Sequence, residues 1–305
     1  MSGERAGWVT LLAALLLLVT GWYVVSELSQ NLTVLRSMIG PPDYRFWVGC
    51  TLVLVPYGIY PLVWSLILRG CGAPIPYRRA AMIWWTTNMA KYIPGKVWLI
   101  TGRVWVARRW GANVVLESFA WEFVIGISSA LLAGSILLVH PSTPGLWAEV
   151  ILLLAAVSLI PLISPQVTQR LLRKPLRWFG AGDWSNDVSM TRVQYLVALL
   201  LMTSNWFAWG VALSFICSGI GLDVSFSVLV ASYSLAWGLG YASLVTPAGI
   251  GVREGALTLL LAPFTAAGVG ALLALITRSV SLAVELMLFG FGMLAGGAIA
   301  TEEEE

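Results

Sequence analysis

Seven ionisable side chains stand inside largely apolar stretches of this chain: Lys91, Lys96, Glu122, Arg253, Glu254, Arg278 and Glu285. An ionisable group at mid-helix in a membrane costs about 2.5–3.5 kcal/mol on insertion scales, so such groups face a bundle interior and pair. Their types do not point to covalent or metal chemistry. The chain has one histidine, His140, in a loop-like stretch before Pro141, and no Asp-rich motif. No catalytic residue, metal ligand or cofactor is therefore expected. Cations in such surroundings suit another task, holding an anionic group such as a phosphate.

Two interrupted segments carry the sharpest of these charges. One runs Asn88-Met89-Ala90-Lys91-Tyr92-Ile93-Pro94-Gly95-Lys96-Val97-Trp98, the other Thr246-Pro247-Ala248-Gly249-Ile250-Gly251-Val252-Arg253-Glu254. Proline removes a backbone donor and disfavours helix in the residue before it. Glycine lets the chain turn. Pro94, Gly95, Pro247, Gly249 and Gly251 should thus end one helix and start another. Irregular backbone at membrane depth is tolerated only where protein or a watery cavity shields it. Lys96 and Arg253 fall in the first turn of each restarted helix, the end that carries partial positive charge and unpaired N–H groups. A cation there calls for an anion, either an internal carboxylate or the phosphate of a phospholipid or polyprenyl lipid.

Two readings fit the charged set as a whole. One is structural pairing, for example Glu254 or Glu285 with Arg278; the other is a polar substrate cavity. Arg278 and Glu285 are seven residues apart, so they share a helix face but are too distant for a direct one-turn pair. Glu254 also suits a first helical turn without any ligand. Arg103 and Glu117 read as interfacial side chains that snorkel toward water. Asn88 and Asn205 read as hydrogen-bonding groups between helices.

The elements that hold these residues follow from composition. Of 305 residues, 58% are hydrophobic and 11% charged, against about 25% charged in a soluble domain. Mean hydropathy is +0.83. These values exclude an ordinary soluble enzyme, a nucleic-acid-binding domain and a disordered chain. They define an all-α, polytopic integral membrane bundle. Apolar runs of spanning length are Gly7–Ser26, Phe46–Leu68, Ser118–Val139, Leu146–Ile163, Val193–Cys217 and Gly268–Ala300. Gly7–Ser26 has no clear cleavage pattern after it and reads as a retained first helix. The 16 tryptophans, many near run ends, read as interfacial anchors. Cys50, Cys71 and Cys217 read as buried thiols. Residues 1–301 form one transmembrane domain, with an acidic tail at 302–305; the polar segment Ser164–Arg192 is too short for a core of its own.

Loop charge sets the topology. The 18 Lys and Arg face 15 Asp and Glu, four of them in the tail Glu302–Glu305, so the rest of the chain is +7. Basic residues cluster at Arg69, Arg78 and Arg79, at Arg108 and Arg109, and from Arg170 to Arg192. The positive-inside rule puts all three loops in the cytoplasm. The first two share a side only if Ala80–Ile100 enters and leaves by one face. The expectation is about six full spans, two re-entrant or broken hairpins (80–100 and 226–264) entering from opposite faces, and both termini cytoplasmic at the cell membrane. Broken helices in corresponding halves are the pattern of an inverted repeat.

At the two breaks the chain resembles a known family. Lys91-Tyr92-Ile93-Pro94-Gly95-Lys96-Val97-Trp98 with Gly102-Arg103, and Pro247-Ala248-Gly249-Ile250-Gly251-Val252-Arg253-Glu254, are similar to the paired signatures of the flippase-like, lysylphosphatidylglycerol-synthase transmembrane family. Glu122, with Glu117 as competitor, resembles a glutamate on the helix after the first motif, and Arg278 an arginine of the last helix. Lys96 departs from the pattern, where a second glycine is common. The resemblance implies movement of lipids or lipid-linked groups between leaflets. No soluble aminoacyl-transferase domain is present in this sequence, so lysyl-lipid synthesis is not expected. The substrate-binding set is then Lys91, Lys96, Arg253, Glu254, Glu122 and Arg278, and the partner an anionic lipid headgroup, with no nucleic acid. The alternatives are a non-catalytic partner of a glycosyltransferase or lipid-modifying enzyme, and a membrane-embedded lipid phosphatase or transferase.

Overall fold

The computed structural model describes residues 22, 26, 29–30, 32–93, 97–139, 145–176, 190–243 and 246–301. Every regular element among them is helical: α1 (Leu32–Met38), α2 (Tyr44–Leu52), α3 (Leu54–Gly70), α4 (Tyr77–Asn88), α5 (Val97–Val106), α6 (Ala112–Gly134), α7 (Gly145–Ser158), α8 (Ile160–Ile163), α9 (Pro165–Leu176), α10 (Arg192–Gly219), α11 (Phe226–Ala242), α12 (Val252–Leu261) and α13 (Val269–Thr301). The protein is a polytopic helical membrane protein. The run Gly7–Ser26, His140 and the tail 302–305 lie outside the described residues, apart from Trp22 and Ser26.

Four stretches among the described residues are long and apolar enough to cross a bilayer: Tyr44–Gly70, Ala112–Leu137, Arg192–Gly219 and Val269–Ala295. The expected span Leu146–Ile163 does not run as one helix. It stops at Ser158, and Pro161 sits at the start of the short α8. Proline is welcome there and obstructive one turn further in. The two interrupted segments become short helices packed in pairs, α4 on α5 and α11 on α12. With 12, 10 and 10 residues, α4, α5 and α12 are about 15–18 Å long, well short of the roughly 30 Å hydrocarbon core.

The helices divide into two compact, sequence-interleaved units. The first holds Met1–Leu54, Ala130–Ala155 and Trp206–Ser281; the second holds Val55–Ser129, Ala156–Asn205 and Leu282–Glu305. In the first, α2 approaches the C-terminal half of α10 so closely that a Cβ at Gly49 would lie 2.7 Å from the Ala212 carbonyl oxygen. Small residues permit such backbone proximity in membrane helices. Asp43 starts α2 by accepting the Arg45 N–H at 2.8 Å, and the Arg45 side chain holds the carboxyl below its ordinary range.

Proline again leaves a mark at the start of α3. The α2–α3 junction breaks at Val53 because Pro56 has no N–H for the Leu52 carbonyl. Pro61, inside α3, likewise leaves the Tyr57 carbonyl without its helical donor. Trp85 Nε1 from α4 donates to that carbonyl at 2.9 Å. Trp85→Phe should therefore cost about 0.5–1.5 kcal/mol by removing that bond. The check is the thermal midpoint in detergent; an unchanged midpoint would show that the bond contributes nothing.

The tryptophans do more than anchor. Trp22, Trp47, Trp98 and Trp105 are exposed, but Trp64, Trp84, Trp121, Trp206 and Trp209 are buried. A large ring fills core space and offers a quadrupole to buried cations, so interfacial anchoring describes only part of the set. Cys71 and Cys217 are buried thiols and Cys50 is half-buried.

Candidate functional site

The second break is built almost wholly from backbone. Helix α11 ends at Ala242, and the Ser243 N–H still reaches the Leu239 carbonyl at 3.0 Å. Thr246 is extended, as the residue before proline must be. Pro247–Gly249 form one tight 3-10 turn in which Ala248 takes φ 50° and Gly249 φ 67°. A non-glycine residue at positive φ is strained. The turn lies against α11 with no room for a side chain: a Cβ on Gly249 would stand 2.7 Å from the Gly240 carbonyl oxygen.

Gly251 then caps α12 at φ 86°. Its N–H donates to Glu254 Oε2 at 2.7 Å, half of a capping box. The other carboxylate oxygen of Glu254 lies 3.7 Å from Arg278 Nη1 on α13. Arg253, one position earlier, turns to α11: its Nη2 donates to the Tyr233 hydroxyl, and the guanidinium carbon sits 4.8 Å from the Tyr233 ring centroid. Tyr233 in turn packs on Trp209, centroids 4.5 Å apart. The turn thus gathers two guanidinium groups, one carboxylate and a helix N-terminus worth about +0.5 charge. Its balance is cationic.

The first break has a different environment. After α4 the chain tightens into a 3-10 turn, Met89–Tyr92, and Ile93 becomes extended. Pro94, Gly95 and Lys96 lie outside the described residues, and α5 begins at Val97. Lys91 has an anionic partner within the protein. Its Nζ is 2.6 Å from Glu285 on α13, and the same carboxylate accepts from the Tyr92 hydroxyl at 2.8 Å and from the Tyr57 hydroxyl. Glu285 is therefore the partner of Lys91, while Arg278 pairs with Glu254.

Glu122 on α6 is also engaged. It accepts from Arg103 Nη1 and from Trp84 Nε1, the latter at 2.9 Å. The Arg103 guanidinium lies 4.9 Å from the Trp64 ring centroid, 5.7 Å from Phe119 and 5.8 Å from Trp84. Such rings stabilise a desolvated cation by about 2 kcal/mol. The two ion pairs are linked by aromatic contact, since the Tyr57 ring meets Trp84 edge-on at 6.4 Å.

Two expectations are corrected. Arg103 and Glu117 do not snorkel: they are 1% and 3% exposed. Glu122 supplies the anion for Arg103, and Gln169 and Arg173 of α9 supply donors to Glu117. Asn205 makes no interhelical bond either; its amide is fully buried and finds no partner among the described residues. Sequence reasoning missed Tyr57, Tyr92, Tyr233 and Trp84 as partners of the charges. Tyr92 stands inside the first motif, but nothing in the spacing of the other three marks them.

Of the predicted site residues, then, Arg253, Glu254 and Arg278 come together in the first unit. Lys91 and Glu122 belong to two ion pairs of the second. No group of three or more metal-ligating side chains forms among the described residues. Broken apolar helices carrying buried, paired charges define a polytopic membrane protein with a polar interior. A family model, that of the lysylphosphatidylglycerol synthase TM region, matches residues 6–289, and the chain belongs to that family. This places it among membrane proteins of lipid-related processes. No curated protein matches the chain.

Proposed function

We propose that the protein moves an anionic lipid, a phospholipid or a glycosylated polyprenyl phosphate, between leaflets of the cell membrane without changing it chemically. The supporting observation is the first turn of α12, where Arg253 and Arg278 outnumber Glu254 at a helix N-terminus. A phosphate there gains the helix N–H groups and a guanidinium, while the acyl or prenyl chains stay in lipid. The phosphate competes with Glu254 for Arg278 and with the Tyr233 ring for Arg253. Lys96, at the other break, is a separate candidate cation. Both termini are cytoplasmic in this reading, and the short helix pairs are re-entrant.

The test is headgroup translocation in proteoliposomes with a labelled anionic lipid. Hydrogen bonds to charged groups contribute about 1.5–3 kcal/mol, so Arg253→Ala and Arg278→Ala should each slow translocation roughly 10- to 100-fold. Gel filtration of each variant reports whether it is folded. Folded variants with wild-type rates would overturn the assignment. Recovered lipid should be chemically intact; a cleaved or transferred headgroup would make the protein an enzyme instead.

A further inference from the structure

Helix α9 contributes to neither break, yet its sequence, Pro-Gln-Val-Thr-Gln-Arg-Leu-Leu-Arg-Lys-Pro-Leu, sets three basic residues among apolar ones. At 100° per residue it presents three strips. The inner strip is Pro165, Gln169 and Arg173. Gln169 Nε2 donates to Glu117, and Arg173 Nε and Nη2 donate to the other oxygen of the same carboxylate at 3.2 and 3.1 Å. Glu117 and Gln169 are both buried. Two contacts one turn apart on one carboxylate set the roll of the helix about its axis.

That roll turns the other strips outward. Arg170 is exposed, and Lys174 follows one turn later in the sequence. Beside them, Val167 and Leu171 are 50% and 58% exposed. A single exposed leucine needs no explanation. An apolar strip next to a basic strip is another matter on a helix that precedes the membrane span Arg192–Gly219 in the sequence. It is the geometry of a helix lying in the plane of the interface, with one edge in the acyl boundary and cations at phosphate level. Arg173 already has an anion in Glu117; Arg170 points away from it.

We propose that α9 is an interfacial helix that binds the anionic lipids of the adjoining leaflet. Val167 and Leu171 enter the acyl boundary, Arg170 meets a lipid phosphate, and Glu117 fixes the orientation. The partner is the charged bilayer surface, not a transported molecule, and the proposal stands apart from the Arg253 site.

The experiment places an environment-sensitive fluorophore at Val167→Cys in the full chain, on a Cys50→Ser background, reconstituted in zwitterionic vesicles containing brominated lipid as quencher. Brominated anionic lipid should quench more strongly than brominated zwitterionic lipid at equal mole fraction. Each basic residue near an anionic surface contributes enough to change lipid preference roughly fivefold. Arg170→Gln should therefore reduce the preference by about that factor, and Arg170→Lys should keep it. Equal quenching by both lipids, no quenching by either, or a preference unchanged in Arg170→Gln would overturn the proposal. So would a fluorescence shift that grows with the protein-to-lipid ratio, which would mean that a second copy covers the face.

Discussion

Glu285→Ala should lower the stability of the folded chain by about 3 kcal/mol, the lower end of the range for breaking a buried ion pair. Glu285 is 5% exposed and gathers three donors: Lys91 Nζ, the Tyr92 hydroxyl and the Tyr57 hydroxyl. Alanine removes the carboxylate these groups share and keeps their desolvation. The lower end applies because the Lys91 side chain retains 23% of its exposure, so water recovers part of the loss. Glu285→Gln keeps an acceptor for the tyrosines and should lose less. Thermal unfolding in detergent reads both; an order reversed between them, or an Ala variant as stable as wild type, would show that the cluster does not hold α13 to the first break.

Gly249→Val should be the most damaging change at the second break, at about 2–4 kcal/mol from backbone strain and overpacking together. The residue takes φ 67°, where a β-branched side chain is an outlier. Its Cβ would also stand 2.7 Å from the oxygen and 2.9 Å from the carbonyl carbon and Cα of Gly240. All three atoms are backbone, so no rotamer change relieves the contact. The turn would have to leave α11, carrying Arg253 away from Tyr233. Loss of translocation should therefore accompany the lower melting temperature, whereas Gly102→Ala, inside α5 with nothing within 4 Å, should keep translocation and not lower the melting temperature. Equal behaviour of the two variants would exclude close backbone packing as the reason for glycine at 249.

Much of the architecture could be read before any coordinates. Apolar runs of about 20 residues can only be helices in lipid, since every backbone polar group must be satisfied within its own segment. The breaks were equally legible: proline restricts its predecessor, and Thr246 and Ile93 are both extended. Helix continuity was less so. Leu146–Ile163 is apolar enough to cross, but apolarity does not say where a helix stops, and Pro161 stops this one.

The pairing of charges belongs to the tertiary structure. Glu285 lies 194 positions from Lys91, and Glu117 lies 56 from Arg173. No helical period relates such positions, so only packing decides which carboxylate meets which cation. The same cause corrects Arg103 and Glu117, whose partners arrive from other helices. Composition and the proline and glycine positions are local properties, and local sterics with the demands of lipid on backbone groups are enough to turn them into helices and breaks. Which ion pairs form, and that α9 turns Arg173 inward and Arg170 outward, depends on side chains brought together from distant segments.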